Sequence, residues 1–192
     1  MWKTLTLATT ALALVACSGN KPEEAAVATP ESTAPDGATP GYSAERNAYF
    51  GDMHIHTRNS FDAYIFNVRR TADDAYRFAK GETIKHPSGF DMTIAGGPLD
   101  FYTVTDHAEY LGILPAMDSK DSPLAELPRA KDMFPTDPAK IQAAFQGVGA
   151  SVRSGDKIEE MYDEPLINSV WGQNIAAAEK YNEPGVFTTF SA

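Results

Sequence analysis

The sequence predicts an α/β fold of parallel strands that presents its chemistry at the strands' carboxyl ends. Three observations predict it. Strand-like runs at 48–56, 99–105 and 186–190 alternate with helix-like segments, the order in which parallel sheets are built. The first two runs close on His54-Ile55-His56 and on Asp106-His107, which puts polar residues where open α/β sheets bind ligands. A content of 43% apolar and 10% aromatic residues in 192 suffices for one packed domain and is too high for disorder throughout.

Residues 1–16 stand apart from the fold. Met1-Trp2-Lys3 gives a short positive start, and 5–16 contain only Thr, Ala, Leu and Val. A run of about a dozen residues is shorter than the roughly 20 of a spanning helix and fits the apolar region of an export signal peptide. It ends in Leu14-Val15-Ala16-Cys17, which resembles the lipobox of bacterial lipoproteins, whose cysteine becomes the lipidated first residue. The plain alternative is an unmodified cysteine after an ordinary signal peptide. Ser18, rather than Asp, matches lipoproteins moved to the outer membrane, facing the periplasm, in Gram-negative cells. Residues 17–45 are rich in Pro, Ala, Thr and Glu and poor in large apolar side chains, and read as a disordered tether behind Cys17, the residue expected to be lipidated.

The domain spans 46–192. In 48–56, Phe50, Asp52, His54 and His56 alternate with Tyr49, Met53 and Ile55, a period of two that predicts a strand. Thr71 caps a predicted helix to Lys80, with Asp73 and Asp74 in its first turn and Gly81 as its stop. After Gly96-Gly97-Pro98, the β-branched and aromatic run 99–105 predicts a second strand. Residues 111–135 are rich in Pro, Asp and Ser and read as irregular. Thr136-Asp137-Pro138 opens a helix bearing Ile141, Ala144 and Phe145. Another runs from Pro165 to Tyr181 with Leu166, Val170 and Trp171 on one face. A third core strand occupies 186–190. Since a closed barrel of alternating strands and helices takes about 250 residues, a chain ending beside this strand is expected to be the amino-terminal part of a longer protein.

Charge and cysteine content narrow the function. A net charge of −10 and a pI near 4.8 exclude a basic nucleic-acid surface, and leave acyl chains rather than electrostatics to hold the protein at a membrane. One cysteine excludes an internal disulfide framework and a cysteine-based zinc cluster. A metal site must then use His, Asp and Glu.

The informative constellation is Asp52-Met53-His54-Ile55-His56-Thr57, Ser60-Phe61-Asp62 and Thr105-Asp106-His107. Residues two apart on a strand project to one side roughly 6–7 Å apart, so His54 and His56 can converge on a cation with His107. Imidazole nitrogens with a carboxylate oxygen form the mixed donor set of hydrolytic centres. Such a cation lowers the pKa of bound water and neutralises charge on a phosphoryl or carbonyl oxygen. In so acidic a chain, cations also make binding of a small anionic substrate plausible. The competing reading of His54 and His56 is a pair of hydrogen-bonded strand histidines. Asp52 and Asp106 either orient ligand imidazoles from behind or serve as turn residues. His86 and Glu109 are expected in a loop and in a first helical turn, with contact to the site as the alternative for each. Arg69 and Arg70 are surface charges or phosphate-steering groups, and Trp171, Tyr162 and Phe145 are expected in the core.

These residues resemble the PHP superfamily of metal-dependent phosphoesterases through HxHTxxSxD, present as His54 to Asp62, and through TDH, present as Thr105-Asp106-His107. The wider string resembles the DUF3604 family, on YFGDMHIHT at 49–57, SFDAY at 60–64, DDAYRFAKGE at 73–82, PLDFYTVTDHAEYLG at 98–112 and FTTF at 187–190. The resemblance implies the amino-terminal part of a distorted β/α barrel, incomplete in this chain. It implies two or three divalent ions (Zn, Mn or Fe) in the full-length protein, with His54, His56, Asp62 and His107 as metal ligands. It also implies a Glu after 186–190 and later His and Asp ligands beyond Ala192. The expected function is an exported, lipid-anchored metal-dependent hydrolase of phosphoesters. The alternatives are a ligand- or partner-binding lipoprotein without catalysis and an amidohydrolase-type enzyme acting on C–N or C–O bonds.

Overall fold

A parallel pair of strands sets the frame. In a computed structural model describing residues 47–192, strand β1 (Gly51–Ile55) lies beside β4 (Phe101–Val104), with Gly51 opposite Phe101 and Ile55 opposite Val104. Strand β5 (Thr188–Ser191) pairs in parallel on the other side of β4, giving the order β1-β4-β5. The chain is therefore a mixed α/β protein with a small parallel sheet. No closed barrel is present among the described residues. The predicted signal peptide, Cys17 and tether lie outside them.

The middle strand supplies the buried part of the sheet; among the described residues β4 has a partner on both sides while β1 and β5 are edges. Tyr102, Thr103 and Val104 are buried. On β1 the expected apolar face is not covered: Met53 is exposed, as are Tyr49 and Phe50 before the strand, and only Ile55 is partly buried. Gly51 is required by the pairing itself. A Cβ there would lie 2.2 Å from the Phe101 carbonyl oxygen, a close approach that only glycine permits.

Helix α1 (Phe61–Ile65) follows β1 directly. Helix α2 (Ala72–Ala79) begins at the predicted Thr71 cap, where Thr71 Oγ1 accepts from the Asp74 N–H at 3.2 Å and Asp74 Oδ2 accepts from the Thr71 N–H at 3.1 Å. This reciprocal pair satisfies donors that a helix start otherwise leaves free. Its inward residues Ala72, Tyr76 and Ala79 pack with Tyr102, Val104, Ala177, Ala178 and Phe187 into one apolar cluster. A short hairpin of β2 (Ile84–Lys85) and β3 (Asp91–Met92) precedes β4.

The stretch expected to be irregular contains α3 (Ile113–Met117), a 3₁₀ turn (Pro123–Glu126) and α4 (Ala130–Met133). Pro115 is tolerated because it sits in the first turn of α3, where N–H groups have no intrahelical partner. Ile113, Leu114 and Met117 join Phe61, Tyr64, Met133 and Val148 in a second apolar cluster.

Helices α5 (Pro138–Ser154) and α6 (Glu164–Tyr181) start where the sequence places them. Asp137 and Asp163 accept from backbone N–H groups of their first turns, and each helix carries proline at its start. Between them runs a second 3₁₀ turn (Glu159–Met161). On α6 the buried face is Val170, Asn174, Ala177 and Ala178. Trp171 is exposed, contrary to the sequence reading, because one helical step from Val170 turns it about 100° away from that face. Tyr162 is exposed as well, in the connection just before α6. Phe145 is partly buried against the second cluster.

Candidate metal centre

β1 and β4 run parallel, with a register shift between Asp52 and Ile55, and their carboxyl ends emerge side by side. The pairing extends past β4, where the Thr105 N–H donates to the Ile55 carbonyl at 2.7 Å and Thr105 Oγ1 accepts from the Ile55 N–H at 3.0 Å. His56 and His107 follow the ends of these adjacent strands, and their ring centroids lie 4.9 Å apart.

Asp62 enters from the first turn of α1. Its Oδ2 lies 2.7 Å from His56 Nδ1 and 3.6 Å from His107 Nε2. Its Oδ1 accepts from Ser60 Oγ at 2.6 Å and from the Ala63 N–H at 2.7 Å. Burial raises the Asp62 pKa, but the Ser60 hydroxyl, the His56 ring and the Ala63 N–H outweigh it, and the net displacement is below the ordinary carboxylate value. An ionised carboxylate only accepts hydrogen bonds, so His56 Nδ1–H is the donor in this pair and Nε2 is the ring nitrogen not engaged by Asp62.

His56, Asp62 and His107 each offer a donor atom within 4.8 Å of the others. The donor set fits a divalent ion bound by nitrogen and oxygen. Two ligands of one tetrahedral ion lie about 3.4 Å apart when bonds are roughly 2.0–2.2 Å. The 3.6 Å between Asp62 and His107 matches that. The 2.7 Å contact between Asp62 and His56 is instead a hydrogen bond, so His56 offers its Nε2.

His54 stands beside this group without belonging to it. Its ring is 4.9 Å from that of His56, tilted by 47°, and the residue is exposed. Glu109 is not in a helical turn; its Oε2 lies 3.9 Å from His107 Nδ1 on the outer side of the cluster. Phe61, buried under the site, packs its ring 4.8 Å from His107.

Asp52 and Asp106 touch no imidazole, so neither orients a ring. Asp52 Oδ1 accepts from the His54 backbone N–H at 2.9 Å. Asp106 accepts from the Thr57 N–H at 2.5 Å, the Thr57 hydroxyl at 2.7 Å and Asn174 Nδ2 at 3.0 Å. It fastens the loop after β1 to the end of β4 and to α6. His86 lies in the β2–β3 hairpin stacked on Phe90 at 4.2 Å. Arg69 is occupied by the Tyr64 ring, 3.6 Å from its centroid, and by the carbonyls of Tyr64 and Val68.

Sequence reasoning named Ser60 without its role and missed Asn174 altogether. Ser60 is fully buried and couples the two motifs: its Oγ donates to Asp62 and accepts from the His107 N–H at 3.0 Å. The signal was present, as a serine two residues before the acid inside the motif. Asn174 carried none, since its position within a helix says nothing of a loop 68 residues earlier.

The model of a family described as a protein of unknown function, DUF3604, matches residues 43–192. The chain belongs to the DUF3604 family. Among curated proteins and among solved structures, nothing matches it. The DUF3604 match covers every residue of the cluster, so the His56–Asp62–His107 group lies wholly within the family's domain.

Proposed function

We propose that this DUF3604 protein is a metal-dependent hydrolase of small anionic esters, foremost phosphoesters, built on the amino-terminal part of a PHP-like β/α barrel. The observation that carries the proposal is the convergence of His56, Asp62 and His107 at the carboxyl ends of two neighbouring parallel strands. His56 Nε2, an Asp62 oxygen and His107 would hold the ion, with His54 next to them. A divalent ion there supplies Lewis-acid polarisation of a phosphoryl or carbonyl oxygen and lowers the pKa of water.

The chain's own residues prepare that arrangement. Asp62 keeps the proton on His56 Nδ1 and directs Nε2 outward. Ser60 holds Asp62 and the His107 backbone at once. Phe61 walls one side of the His107 ring, and Glu109 keeps a carboxylate 3.9 Å from His107 Nδ1.

Residues 1–17 support export and lipid anchoring through Cys17 at the cell envelope. No helix of the described residues is long and apolar enough to cross a membrane. If Cys17 is the anchor, Cys17→Ser shifts the protein from the membrane fraction to the soluble fraction on expression in a lipoprotein-processing bacterium.

The same donor set serves amide and lactone hydrolysis, because fold and ligand type do not fix the substrate. The test is hydrolysis of an aryl phosphate, an amide and a lactone by the full chain with Zn or Mn, beside His56→Ala/His107→Ala. Phosphate release that the double variant abolishes supports the proposal. Turnover confined to the amide or lactone transfers the protein to the amidohydrolase type. No turnover of any of them leaves the reading of a binding lipoprotein.

A further inference from the structure

The segment carrying His107 runs directly into the wall of a recess. Ala108, Glu109 and Tyr110 form one side of a cavity of about 230 Å³, and Val152, Lys157 and Tyr162 form much of the other. Glu109 is common to both places, since its carboxylate also lies 3.9 Å from His107. The recess therefore adjoins the candidate metal centre.

Tyr110 fixes its shape. The residue is buried and adopts a φ of 58°, a left-handed conformation that bulky side chains rarely take and that clusters at functional sites. Its hydroxyl sits in a relay: the Ile158 N–H donates to it at 2.9 Å, it donates to Ser151 Oγ at 2.5 Å, and that oxygen donates to the Asp156 carbonyl at 2.5 Å. The loop presenting Lys157 is thus tied to the residue three positions after His107. The Lys157 ammonium lies 4.0 Å from the centroid of the exposed Tyr162 ring, a cation–π placement that gives the mouth a positive charge in an acidic chain.

We infer that this recess takes the non-reacting part of the substrate, a single aromatic ring bearing an acidic substituent that Lys157 meets at the mouth. Its apolar walls of Tyr110, Val152, Ala108 and Tyr162 suit a ring. A dry apolar cavity of about 150 Å³ holds benzene, so the space here admits one substituted ring. It is smaller than the roughly 300–1,000 Å³ of pockets for larger ligands, which disfavours a nucleotide. The inference rests on the proposed function only for what lies beyond Glu109.

The test is a titration of the full chain with benzoate and with acetate, followed by amide NMR shifts, first in chelator and then with zinc. Benzoate is expected to shift the Lys157, Ile158 and Ser151 amides and to bind more tightly than acetate. Lys157→Met and Tyr162→Ala, both at exposed positions, are each expected to weaken benzoate about three- to tenfold, whereas Lys120→Met leaves it unchanged. Equal response to benzoate and acetate, or insensitivity to both variants, overturns the assignment of the recess. The zinc arm separates the two readings. Benzoate discrimination together with no zinc-induced shift of the His56, Asp62 and His107 amides in the second arm overturns the hydrolase reading and leaves the recess as a binding site for aromatic acids.

Discussion

Asp106 holds Thr57 with both carboxylate oxygens, Oδ1 on the backbone N–H at 2.5 Å and Oδ2 on the hydroxyl at 2.7 Å. This pair joins the two motifs across the β1–β4 pairing and fixes how far His56 stands from His107. Thr57 is 1% exposed, so its hydroxyl has little recourse to water if the bond is lost.

Thr57→Val retains the shape and removes the hydroxyl. It deprives Asp106 of one donor and the Asn59 N–H of its acceptor at 3.2 Å. A stability loss of about 1–3 kcal/mol is expected, the cost of leaving such groups unmatched. Urea unfolding measures it. An unchanged midpoint would show that the two loops do not depend on this tie.

Asp62 gives the site a defined acid sensitivity. Its folded pKa lies below the ordinary 3.8, so the folded state binds this proton less readily than the unfolded state. The stabilisation is complete above the unfolded value and is lost as pH falls through the folded one. Wild type and Asp62→Asn should then differ by a constant amount above about pH 5 and converge below about pH 4. Denaturant midpoints across pH 2–7 provide the check, and parallel curves would contradict the account.

Two tyrosines make the opposite prediction at high pH. Burial first, then the bond to Asp118, lifts Tyr64 to about 12, and burial first, then the charge of Asp52, lifts Tyr102 to about 12, from 10.0 in both cases. The folded state keeps these protons longer than the unfolded state. Stability is full below pH 10 and falls as pH rises towards 12, by roughly 2–3 kcal/mol per tyrosine. Tyr64→Phe and Tyr102→Phe should each flatten that decline, read from unfolding midpoints between pH 9 and 12.

The outline of the site was legible in the sequence because it rests on local chemistry. The HxH and TDH strings mark strand ends, and Thr71 and Asp137 cap the helices they precede. What was not legible depends on tertiary neighbours. Nothing in the string assigns Asp106 to Thr57 and Asn174 instead of an imidazole. Likewise Trp171 looked like a core residue, and only the rotation of α6 decides that Val170 and Asn174 point inward instead. Met53 is exposed as well, because alternation marks a face of a strand without encoding what packs over it.

Glycine positions offer a contrast between two outcomes. Gly51→Ala puts a methyl group 2.2 Å from the Phe101 carbonyl oxygen and should loosen the β1–β4 pairing, lowering stability. In Gly147→Ala, within α5, the new methyl meets nothing within 4 Å and should stabilise by about 0.5–1 kcal/mol through helix propensity. Thermal melts of the two variants beside wild type decide both. A neutral Gly51→Ala would refute the close approach of the strands.

The central claim is that His56, Asp62 and His107 hold a divalent ion, and metal stoichiometry tests it most directly. The full chain, dialysed against a weak chelator, is measured by elemental mass spectrometry beside His54→Ala and His56→Ala/His107→Ala. The account predicts near-stoichiometric Zn, Mn or Fe in the wild type, its loss in the double variant, and a smaller loss in His54→Ala. A folded wild type that retains no metal, or a double variant that retains as much as wild type, would contradict it.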